Sequence, residues 1–271
     1  MPLSFKHTFS GKPVLWSAVV CASFLSACAA PDTTVSRGTI NDPYEEQNRG
    51  THEFNRSLDK VLVRPTSSTY GTAIPTGLQD SIGHFSDNLS LPGDAANHIL
   101  QGNGEGLGRN ILRFAINTTL GIGGLFDPAS QMGLERSKTD FGETLYVWGV
   151  EEGAYVELPF FGPSTSRDTV GLVVDYSLDP VRLLLPTPER YISTLAMVAA
   201  RLGDRHTYTA TIDSVLYESV DSYTQARSLY LQNRRYELGG RSQDDYDDPY
   251  GDADSDPYDS AYSDPYEDLN E

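Results

Sequence analysis

Residues 141–168, FGETLYVWGVEEGAYVELPFFGPSTSRD, place two runs of bulky apolar side chains on either side of an acidic turn. The first run is 147–150, the turn is 149–153 with Glu151 and Glu152, and the second run is 155–161. Both runs are short and are interrupted by glycine and by Pro159. Such runs cannot make a pair of helices, and they predict a bent, largely extended hairpin. On both sides of this stretch the apolar residues fall at helical spacing, so the chain reads as mainly α with one short extended hairpin.

Upstream, Asp42 precedes Pro43 and Glu45, and Phe54, Leu58, Val61 and Leu62 follow at helical intervals. Asp42 is expected as the N-cap with Pro43 in the first turn, and the helix is expected to stop at Pro65. Leu78, Ile82, Phe85 and Leu89 predict a second helix ending at 87–92, followed by a short one with Ala96, Ile99 and Leu100. Leu107, Ile111, Phe114 and Thr118 predict a fourth helix, which gives way to LGIGGLFDP, 120–128. Those glycines do not fit the spacing of a dinucleotide-binding loop, and they follow a helix instead of a strand, so a tight turn is expected. Downstream, Val170, Val173, Val174 and Ser177 predict a helix from Ser166 to Asp179-Pro180. Tyr191, Leu195, Val198 and Leu202 predict another. Ile212, Ser219 and Ala226, with Leu216, Tyr223 and Tyr230, trace a seven-residue seam stopped by Gly239-Gly240.

The termini bound the setting. Lys6 and Lys12 precede an apolar stretch and then Leu25-Ser26-Ala27-Cys28, which reads as a secretory signal over 1–27. The stretch is shorter than a spanning helix needs and is broken by Ser17 and Ser23. Its ending resembles the lipobox of bacterial lipoproteins, which implies lipidation of Cys28, and Ala29 implies sorting to the outer membrane. Several acyl chains on one residue give stable attachment. Residues 28–41 read as a linker, 42–240 as one helical domain and 241–271 as a disordered acidic tail. The tail carries a net charge of −11 of the chain's −18 and repeats Asp-Pro-Tyr at 248, 256 and 264. It reads as a solvated brush, or as a segment that binds cations or docks a partner. The acidic balance disfavours nucleic acid, whose phosphates need a basic face.

Chemistry is sparse. The five histidines lack ligand spacing, the two cysteines lie within the signal and at its end, and no G-x-S-x-G elbow is present. No metal is expected. Asp42 and the pair Arg167-Asp168 are candidates for catalysis but fit better as caps and ion pairs.

Six segments in order then carry a resemblance to the MlaA (VacJ) family of outer-membrane lipoproteins. They are DPYEEQNR (42–49) with Phe54-Asn55, DNL (87–89), NHILQG (97–102), RFAINTTLGIGGLFDPAS (113–130), DFGETLYVWGV (140–150) and LPFFGPSTSRD (158–168). Matching motif residues are Asp42, Pro43, Asn48, Arg49, Phe54, Asn55, Asn117, Gly121, Gly123, Gly124, Asp127, Arg167 and Asp168. The resemblance implies a ring-like helical bundle with amphipathic helices lying in the membrane plane around an amphipathic channel. It implies removal of mislocalised phospholipid from the outer leaflet, a periplasmic carrier (MlaC) as recipient and a porin trimer as neighbour. No cofactor would be needed, and no bond would be broken. Gly149, Glu151, Gly153, Tyr155, Pro159 and Phe160 are the expected wall and hinge of that channel. His52 and the carboxylates Glu151 and Glu152 depart from the family pattern, and His52 is expected in the lipid-facing or channel wall. A structural envelope lipoprotein that scaffolds partners through its acidic tail is the alternative, and a lipid hydrolase is a third.

Overall fold

The computed structural model describes residues 40–239. The chain divides into two units, Met1–Asn41 and Asp42–Glu271, and the elements named below belong to the second. The expected signal, Cys28, nearly all of the linker, Gly240 and the acidic tail lie outside the described residues.

The first helix, α1 (Glu45–Leu58), does not stop at Pro65. It passes through a widened π turn at Asp59–Val63 into α2 (Arg64–Ala73). The π turn carries its hydrogen bonds five residues back, as from Arg64 N–H to the Asp59 carbonyl. The widened turn accommodates Pro65, which has no N–H to give to the carbonyls before it. Asp42 is not the cap either. Tyr44 holds that position, and the Asp42 carboxylate is engaged by Asn48, Tyr223 and Arg227.

The two helices expected across 78–100 are one, α3 (Thr76–Gln101), with Pro92 inside it. Proline forfeits a single bond, to the carbonyl of Asn88, while Asn88, Leu91, Asp94, Asn97 and His98 are buried on both sides of it. Packing carries the helix through. Gly102, at φ +70°, ends it. Next come α4 (Gly104–Thr119), capped by Asn103, the short α5 (Pro128–Gln131), capped by Asp127, and α6 (Phe141–Val147), capped by Asp140.

The extended reading of 147–150 is thus corrected. Val147 closes α6, and the hairpin begins later, with β1 (Tyr155–Leu158) antiparallel to β2 (Gly162–Thr165). Then follow α7 (Ser166–Leu178), where the valine spacing predicts it, α8 (Pro180–Leu184), α9 (Ile192–Thr207) and α10 (Thr209–Asp213). The expected seam over 212–230 is broken. After a π turn at Ser214–Glu218, Asp221 caps a new helix, α11 (Ser222–Leu238), which ends at Gly239.

α3 packs on α4 and α9, α9 also on α2, α6 on α7, α1 on β1, and α11 on β2. The faces in contact are not the apolar ones. On α4 the buried residues are Gly106, Asn110, Arg113 and Asn117, whereas Ile111, from the stripe that identifies the helix, is 52 % exposed. Likewise α1 buries Asn48 and His52 and exposes Phe54, while α9 buries Ala196, Gly203 and Arg205 and exposes Leu195 and Val198. Among the described residues, nineteen polar or charged side chains are buried against six apolar ones, so the pattern of a helix packed on an apolar core is reversed. No helix among the described residues is long and apolar enough to cross a membrane.

Candidate functional site

Hydrogen-bonding stripes build the interior. Asn48, His52 and Asn55 recur at four and three residues, hence on one face of α1, and that face meets β1. Asn48 donates to the Tyr155 carbonyl at 3.1 Å and accepts from the Glu157 N–H at 2.9 Å. Two turns on, Asn55 donates to the Leu158 carbonyl at 2.9 Å and accepts from the Phe160 N–H at 2.9 Å. Asn48 completes a donor and an acceptor of β1, and Asn55 a carbonyl of β1 and an N–H of the hairpin tip, so helix and hairpin form one piece.

Between the two asparagines, His52 contacts Glu157 through Nδ1 at 3.3 Å and Ser222 through Nε2 at 3.0 Å. It is buried, against the expectation that its ring would enter a lipid-facing or channel wall, because Glu157 and Ser222 supply the partners a buried imidazole requires. Tyr155, 1 % exposed, donates to Glu157 at 2.5 Å and meets Tyr223 edge-on at 5.9 Å. Burial, and then the Glu157 carboxylate, push its hydroxyl pKa well up. Arg49 closes the group, bidentate on Asp221 at 3.1 and 2.9 Å and 4.6 Å over the Tyr223 ring.

The hairpin tip points its apolar side chains outward. Phe160 is 71 % exposed, packs edge-on to Phe54 at 5.5 Å and holds φ at +68°, a strained conformation for a non-glycine residue. With Pro159, Gln47, Gly50 and Thr51 these two rings line a groove of about 520 Å³.

A second cluster joins α6, α7 and α11. Asp168 accepts from Arg234 at 3.0 Å, Tyr230 at 2.8 Å and Arg167 at 3.3 Å, and Arg234 also reaches Asp140 at 2.7 Å. Burial would raise the Asp168 carboxyl, but the bond to Arg234, with Tyr230 and Arg167, outweighs it and holds the pKa low. Helices α6 and α7 approach through Gly142 and Gly171. A Cβ on Gly171 would lie 2.4 Å from the Gly142 nitrogen.

A third cluster seats the glycine turn. Asn117 donates to Asp127 at 2.8 Å and accepts from the Ala129 N–H at 3.1 Å, while Arg113 donates to Asp127 at 2.8 Å. Burial again opposes ionisation of Asp127, and bonds from Ser130, Asn117 and Arg113 bring it down to about 2. Gly121 and Gly124 leave no room for a Cβ, which would meet the Phe126 carbonyl at 2.3 Å and the Asn88 side chain at 2.6 Å. Gly123 turns at φ +72°.

The 149–153 loop joins these regions. Gly149, at φ +86°, ends α6 in a Schellman arrangement, with Val150 N–H on the Leu145 carbonyl and Gly149 N–H on the Tyr146 carbonyl. Gly153, at φ +75°, turns the chain against Ser166. Glu152 forms two bonds with Arg235, at 3.0 and 2.9 Å, whereas Glu151 is exposed and makes no ion pair among the described residues.

Other buried polar residues escape a search for apolar stripes. Asp59 and Arg205 form two bonds at 2.9 and 2.8 Å, with Asp213 and Tyr217 beside them. Asn97 bonds Asp175 and Thr144, and Asn110 exchanges two bonds with the Ser137 backbone. Their signal is the same helical spacing, carried by Asn, Arg and Gly. Among the described residues no group of His, Asp and Glu could hold a metal ion.

Comparison with known proteins places this architecture. The chain is 36 % identical over 197 residues to an uncharacterised protein of Rickettsia bellii, covering 72 % of this chain and 76 % of that one. It is 30 % identical over 243 residues to the intermembrane phospholipid transport system lipoprotein MlaA of Escherichia coli K12, covering 88 % and 94 %. It is also similar to a chain solved in work on the structural basis for maintenance of bacterial outer membrane lipid asymmetry. That likeness has a TM-score of 0.62 and 29 % identity, over 73 % of this chain and 99 % of that chain. A family model of the MlaA lipoprotein matches residues 40–237, and the chain belongs to that family.

Proposed function

We propose that this protein is an outer-membrane lipoprotein, anchored through Cys28, that removes mislocalised phospholipid from the outer leaflet and so maintains lipid asymmetry. The observation that carries the reading is the reversal of burial. Apolar side chains face outward from the helices while charged and amide side chains join them, as suits short helices lying among acyl chains around a hydrated interior. Relatives named for intermembrane phospholipid transport support it. The path is an amphipathic channel lined in part near the 149–153 loop and the Pro159-Phe160 tip, with lipid handed to a periplasmic carrier and a porin trimer alongside. Transport of this kind breaks no bond.

Deleting the gene is expected to raise outer-leaflet phospholipid, measured by surface labelling, and to cause detergent sensitivity, both restored by the wild-type chain. Unaltered surface phospholipid in the deletion strain would overturn the reading. Gly149→Pro and Gly153→Pro test the loop as a hinge. At normal protein level, outer-leaflet phospholipid is expected to rise, and an unchanged level counts against gating.

A further inference from the structure

Among the described residues, eleven arginines form ion pairs with Asp or Glu, and Arg182, Arg190 and Arg201 do not. Two of these three meet. Past α8 the chain turns back at Glu189–Tyr191, so that Arg190 donates to the Arg182 carbonyl at 3.1 Å. Both side chains line a cavity of about 340 Å³ together with Tyr176, Ser177 and Leu183. The Arg182 guanidinium lies 3.8 Å above the Tyr176 ring, which fixes its plane. Arg182 Nη1 and Arg190 Nε are enclosed, and neither has an acceptor. Asp179, on the adjoining turn, is taken by the Val181 N–H at 2.9 Å and by Ser193 at 3.4 Å.

Enclosed nitrogens of this kind also occur on Arg56, Arg113, Arg167, Arg205 and Arg227, but those arginines have carboxylate partners. Two guanidiniums on one cavity, with no carboxylate among the described residues that line it, suit a tetrahedral oxyanion, which accepts several charge-assisted bonds at once. The surroundings narrow the source of that anion. Leu178, Leu183, Leu184 and Ile192 are all exposed nearby in sequence, Leu184 at 83 %. Cationic donors on a cavity that Leu183 also lines, in a segment with exposed apolar side chains, match a molecule with a phosphate at one end and acyl chains at the other.

We propose that Arg182 and Arg190 hold the phosphate of a phospholipid headgroup in this cavity. The assignment rests on the lipid-transport reading above and gives it a recognition element. The phosphate is the common feature, so headgroups that differ beyond it are accepted alike.

The test uses the purified full-length chain in detergent and three probes: dioleoylphosphatidylglycerol, dioleoylglycerol without phosphate, and water-soluble glycerol 3-phosphate. Retention measured by native mass spectrometry is expected to favour the phospholipid over dioleoylglycerol by at least about tenfold. Arg182→Gln with Arg190→Gln is expected to abolish that preference while dioleoylglycerol retention and the far-UV circular dichroism stay as in wild type. Arg182→Lys with Arg190→Lys, which keeps charge but loses the planar fork, is expected to restore part of it. A glutamine double variant that keeps the wild-type preference overturns the proposal. Glycerol 3-phosphate bound as tightly as the phospholipid overturns the lipid source. Surface labelling of the deletion strain separates the two readings. If that strain keeps normal asymmetry while the preference still depends on both arginines, transport falls and the phosphate site stands.

Discussion

At the scale of the residue, two asparagines do what a third strand would do. Asn48 satisfies a buried carbonyl and a buried N–H of β1, and both lose their partner in Asn48→Ala. The expected destabilisation is about 2–4 kcal/mol, from two unpaired backbone groups, read by denaturant unfolding in detergent. Asp127 makes an acid-dependent contribution. Its folded pKa, about 2, lies below the unfolded carboxylate value, so its stabilisation is full above pH ~4 and is lost as pH falls through about 2. The stability gap between wild type and Asp127→Asn is therefore expected to narrow over that window in thermal unfolding. Asp94 and Asp175 act with the opposite sign. Burial raises both, so each favours the folded state more as pH falls. These roles are only partly legible in the sequence. Asn48, Asn55, Asn117 and Asp127 stood out as motif residues, but their partners lie up to 109 residues away along the chain. No local pattern encodes such pairing.

At the scale of the element, helix existence was readable and helix facing was not. The stripes Leu107-Ile111-Phe114 and Tyr191-Leu195-Val198 marked real helices because apolar periodicity of 3.6 residues requires one, whatever lies outside it. Which side meets the protein depends on the surrounding medium, and a propensity argument tuned to water places it inside. Pro65 and Pro92 failed as stop signals for a related reason, since a π turn accommodates one and buried polar contacts on either side carry the other. A seven-residue helix is too short to display its period, so Val147 reads as extended in the sequence. The close crossing of α6 and α7 makes its own prediction. Gly171→Ala would press a methyl onto backbone that cannot yield, for an expected loss of about 1–3 kcal/mol by the same unfolding measurement. Gly50→Ala, where a Cβ meets nothing, is the control.

At the scale of the whole molecule, Leu183, Leu184 and Leu195 are exposed leucines whose replacement should weaken membrane association independently of the lipid anchor. A full-length Cys28→Ser chain is expected to float with phospholipid vesicles in a sucrose gradient. Adding Leu183→Gln, Leu184→Gln and Leu195→Gln should leave most of it in the soluble fraction. The reversed burial of the described residues also has a calorimetric consequence. Exposing apolar groups to water raises heat capacity on unfolding and exposing polar groups lowers it, so ordinary domains gain about 12–15 cal/mol/K per residue. Here the groups released from between the helices are largely amides, carboxylates and guanidiniums. The increment should fall well below that range, flattening the curve of stability against temperature. A protein of this build would keep nearly constant stability between cold and warm surroundings, because the force that fades on cooling is not the one that joins its helices.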